Sequence, residues 1–62
     1  MTKNDFILMH ISNGLVAYDV SVSNSGKSPR FKDSSKEDKR LLVMVFQNQA
    51  NEIWNNISED LK

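Results

Sequence analysis

Two apolar runs, about residues 5–12 and 15–22, flank Asn13-Gly14, and together they predict an antiparallel β-hairpin. A two-residue turn of type I′ needs positive φ at both central positions. Asn tolerates that conformation and Gly adopts it freely. The turn would set Ser12 opposite Leu15, Met9 opposite Tyr18 and Phe6 opposite Ser21. Because side chains alternate with period two, one face would then collect Ile7, Met9, Ile11, Val16, Tyr18, Val20 and Val22. The other would mix Phe6, Leu8, Leu15 and Ala17 with His10, Ser12, Asp19 and Ser21.

Residues 23–34 carry loop-forming types and no apolar period, so a mobile connection is expected there. Phe31 is its one large apolar residue and would either anchor the loop to the core or stand free for a partner. A helix over about 35–60 follows. Ser34 with Glu37, or Ser35 with Asp38, offers a capping box, and both acids suit the positive end of the helix dipole. At 100° per residue Leu42, Val43, Phe46, Ala50, Ile53, Trp54, Ile57 and Leu61 form one stripe. Leu41, Met44 and Val45 fall outside it and make positions 41–46 apolar all round. Either the helix is continuous and covered on a second side, or residues 40–46 form a third strand.

The expected fold class is therefore α+β, a ββα unit in one domain over residues 1–62, its hairpin covered by a C-terminal amphipathic helix. Such a unit leaves Phe6, Leu8, Leu15 and Ala17 bare on the far face of the sheet. With Leu41 and Val45, these six residues are the candidate dimer or partner interface.

Composition narrows the classes of function. A chain of 62 residues buries little of its surface, and with no cysteine and one histidine neither disulfides nor a structural zinc site stabilises it. Oligomerisation is the remaining common solution. No run is long enough to span a bilayer, no signal-peptide core is present, and a cytoplasmic location with no membrane partner is expected. Asn56-Ile57-Ser58 matches a glycosylation sequon, which has no meaning without a secretory route. Eight basic residues balance eight acidic ones, so no global field steers the chain to nucleic acid. Between positions 27 and 40, however, six basic residues face three acids.

Candidate chemistry is sparse. Ser25-Gly26-Lys27-Ser28 ends like a phosphate-binding loop, but the first glycine is replaced by Ser21 and Pro29 stands where the helix must start. His10 lies diagonal to Asp19 on the expected sheet, a cross-strand polar pair with no nucleophile beside it. Lys27, Arg30, Phe31, Lys32 and Arg40 combine cations with one stacking ring and form the candidate contact for phosphates. Trp54, at the stripe margin, closes the core or anchors a partner. With no cofactor fingerprint and no catalytic constellation, the reading is not an enzyme and binds no cofactor or metal. It is a small homodimeric module, a regulator or inhibitor that binds a protein partner; the alternative is a nucleic-acid-binding accessory protein using residues 27–40.

Overall fold

The computed structural model describes residues 1–57 and shows a helical hairpin, with no strand among them. Helix α1 spans Lys3–Ser25 and helix α2 spans Lys36–Asn56, with a 3₁₀ turn at Phe31–Asp33 between them. The α+β expectation is thus overturned. Both predicted strands, 5–12 and 15–22, lie within α1, and residues 40–46 are helical rather than a third strand. The expected helix end at residue 60, Leu61 and the serine of the sequon lie outside the described residues.

Capping explains where α1 begins and ends. Thr2 is the N-cap, its hydroxyl accepting from the Asp5 amide at 3.1 Å, and Asp5 sits in the first turn. Gly26 closes the helix in the left-handed region at φ 67°, donating its amide to the Val22 carbonyl at 2.8 Å. Pro29 follows three residues later and bars continuation. Helix α2 uses the second of its two candidate caps. The Ser35 hydroxyl accepts from the Asp38 amide at 3.1 Å, while the Ser34 hydroxyl donates to the Arg30 carbonyl at 2.9 Å. Ser35→Ala is therefore expected to cost about 1 kcal/mol in urea unfolding, and Ser34→Ala less.

The helices run antiparallel, as three contacts along the seam establish. Phe6 meets Trp54 with ring centroids 5.5 Å apart, His10 meets Phe46 at 6.4 Å, and Gly14 lies under the Phe46 ring. The α1 side of the seam follows every fourth residue: Phe6, His10, Gly14, Tyr18 and Val22, flanked by Ile7, Ile11, Leu15 and Asp19. On α2 the same spacing gives Leu42, Phe46, Ala50 and Trp54. Each step of four turns about 40° past a full revolution, so the stripe on α1 winds by about 160° from end to end.

Gly14 accounts for the helical course through the turn signal. A Cβ there would stand 2.5 Å from Phe46 Cδ1 and 2.7 Å from its Cγ, so only glycine lets this ring lie on the α1 backbone. Asn and Gly each disfavour a helix interior by somewhat under or about 1 kcal/mol. Packing along two helices outweighs that local cost.

The hairpin buries little. Among the described residues only Val22 and Ala50 are buried, and the aromatic seam residues are half-buried. The face assignment changes accordingly: Met9, Val16 and Val20, expected against the core, are exposed.

Candidate interaction surfaces

The six candidate interface residues do not form one patch. Phe6 belongs to the seam, stacked on His10 and tilted against Trp54. Leu15 is half-buried at the flank of the seam, Ala17 is exposed, and Leu8 points outward from α1 with 64% of its surface free. Leu41 and Val45 point outward from α2, each 50% exposed. Two separate apolar surfaces result.

The first lies on α1. At 100° per residue Leu8, Met9, Val16 and Val20 fall within about 120° of arc, turned away from the seam. All four are exposed, Val16 to 64% and Val20 to 56%. The second lies on α2, where Leu41, Met44 and Val45 are successive outward positions and all exposed. The connection partly roofs its edge: Tyr18, Ser28, Pro29 and Ser34 line a shallow groove with Leu41, Leu42 and Val45. The Tyr18 hydroxyl donates to the Pro29 carbonyl at 3.4 Å.

The basic residues are likewise divided. Arg30 turns back to α1, its Nε donating to the Ser23 hydroxyl at 3.2 Å, in a groove with Val16, Asp19 and Val20. Arg40 lines a different groove with Lys36, Lys39, Phe31, Val43, Met44 and Gln47. Lys27 and Lys32 are exposed and line neither. Phe31 is held by its backbone, whose amide donates to Asp19 Oδ1 at 2.8 Å, and Lys39 Nζ lies 6.0 Å from its ring centroid. Of the two roles open to Phe31, anchoring describes its half-buried position.

His10 and Asp19 do not pair. Nine residues apart on one helix, they project about 180° from each other. His10 Nε2 instead lies 3.4 Å from Gln49 Oε1 across the seam, between the rings of Phe6 and Phe46. Asp19 serves the Phe31 turn. Trp54 packs on Phe6 at the open end of the hairpin.

Among the described residues no three His, Asp or Glu side chains gather as metal ligands, and no helix is long and apolar enough to cross a membrane. Thr2 and Gly26, which delimit α1, and Gln49, the seam partner of His10, are not among the residues expected from the sequence. Thr2-x-x-Asp5 and Gly26-x-x-Pro29 were the signals that could have revealed a helix from 3 to 25. No protein-family model, curated protein or solved structure matches this chain.

Proposed function

We propose that the chain is a small homodimeric interaction module that regulates or inhibits a protein partner by binding it. One observation carries the reading: among the described residues only Val22 and Ala50 are buried, while large apolar side chains turn outward from both helices. Helices within a folded protein owe most of their stability to packing an apolar face, and helices that are apolar on two sides need cover on both. Self-association serves one surface. The Leu41, Met44 and Val45 surface, bordered by Asp38, Asn48 and Glu52, has the mixed apolar and polar character of a protein contact.

Nucleic-acid binding has less support. Arg30 and Arg40 lie in different grooves, and Asp19, Asp33, Glu37 and Asp38 are interspersed with the cations. The Lys36, Lys39 and Arg40 groove beside the Phe31 ring is the feature that favours it.

The test is capture of partners by the tagged protein from its native host, with nuclease treatment and a salt series. The expected result is a stoichiometric protein that survives both and whose recovery falls at least tenfold with Leu41→Asp or Val45→Asp. Nucleic acid lost at moderate salt, and insensitive to those two changes, would contradict the reading and move the contact to Lys27, Arg30, Lys32 and Arg40.

A further inference from the structure

We infer that a second copy of this chain packs its α1 antiparallel against the outward face of α1, about a two-fold axis between Ser12 and Val16. This rests on the self-association proposed above and adds its geometry. In that arrangement Leu8 of one copy lies beside Val20 of the other, with Ser12 beside Val16, and the pairings repeat by symmetry.

Several features single out this surface. Between Asp5 and Asp19 the chain has no Asp, Glu, Lys or Arg, so two identical α1 faces meet with no like charges opposed. On α2 the uncharged run is shorter, residues 41–51, with Arg40 and Glu52 at its two ends. Ser12, small and exposed at the centre of the α1 stripe, lets two helix backbones approach, and Leu8 at one end meets the smaller Val20 at the other.

Charge complementarity fixes the antiparallel direction. Asp5 and Ser23 occupy the same angular position on the outward arc, one near each end of α1. The register that pairs Leu8 with Val20 also places Asp5 of one copy beside Ser23 of the other. Ser23 already holds Arg30 through its hydroxyl. Each Arg30 guanidinium therefore comes next to an Asp5 carboxylate, twice per dimer. A parallel pairing would bring Asp5 to Asp5 and Arg30 to Arg30.

The absence of cysteine makes the test direct. Leu8→Cys and Val20→Cys chains are prepared separately, then mixed and treated with a short thiol-reactive bifunctional linker. The mixture is expected to give cross-linked dimer and each chain alone almost none, because like positions are then about 18 Å apart along the helices. Val16→Asp, at a side chain already exposed, is expected to raise the dimer dissociation constant at least 30-fold with helix content unchanged. Cross-linking of each single variant to itself, or self-association unaffected by Val16→Asp, would overturn this geometry while leaving a dimer. Sedimentation of the unmodified chain as a 7.1 kDa monomer at tens of micromolar would instead overturn the self-association on which it rests.

Discussion

Gly14→Ala is expected to lower the stability of the hairpin by about 1–2 kcal/mol, although alanine is the better helix former by nearly 1 kcal/mol. The added methyl group would lie 2.5–2.7 Å from three carbons of the Phe46 ring, including Cγ at its root. Rotation about the outer bonds of Phe46 cannot clear Cγ, so the ring or the helix axis must move. Such movement disturbs His10, whose ring packs on Phe46 and whose Nε2 meets Gln49. Urea unfolding followed by circular dichroism measures the loss. Gly14→Ala should cost less when Phe46 is already alanine, since Cγ and the ring carbons that clash are then gone, and the non-additivity of the pair reports the contact itself. A stabilised Gly14→Ala protein would show that this ring does not lie on the α1 backbone.

Phe6→Ala should act at the other end of the seam. Phe6 bridges Trp54 and His10, with centroids 5.5 Å and 6.3 Å away. Full truncation of a buried Phe costs about 3–5 kcal/mol, and half-burial brings the expectation to about 2 kcal/mol. Trp54 is the sole tryptophan and reports the change. Its emission should shift to the red in the native baseline, before any unfolding, because its apolar neighbour is replaced by water. The midpoint in urea should fall as well. Emission identical to that of the unmodified protein would mean that Trp54 draws its apolar surroundings from elsewhere.

The sequence was a good guide to α2 and a poor one to α1, for reasons that lie in particular residues. Ser35, Glu37 and Asp38 mark the start of α2 by ordinary capping chemistry, and Leu42, Phe46, Ala50 and Trp54 keep to one stripe. In α1 the contacting residues recur every four positions, and four is also a multiple of two. Ile7 and Ile11, or Tyr18 and Val22, thus satisfy a strand's alternation as well as a helical ridge. The outward residues Leu8, Met9, Val16 and Val20 blurred the pattern further, because they make the helix apolar on two sides. Asn13-Gly14 then supplied a turn signal that was sound locally. The glycine serves a tertiary contact with Phe46, 32 positions further along, which no local window contains. Thr2 and Gly26 were the countervailing signals, a cap and a stop 24 residues apart with Pro29 beyond.

The candidate site was legible in part. Leu8, Leu41 and Val45 are indeed outward and apolar, but the sheet geometry assumed for them joined what two helices separate. Phe6 reads as surface in a sheet because a strand turns it away from the helix it packs on. The basic segment was visible as a run of charge, yet its division between the Ser23 groove and the Phe31 groove depends on how the connection folds back.

The most direct test of the account is thermal unfolding by far-ultraviolet circular dichroism at chain concentrations spanning about a hundredfold. A hairpin that completes its core with a second copy gains about 2.7 kcal/mol per dimer over that range, which shifts the midpoint upward by the order of 10 °C. The predicted result is a helical spectrum whose midpoint climbs with concentration. A strand-dominated spectrum would contradict the fold, and a helical one with a constant midpoint would contradict the claim that a second copy stabilises the chain.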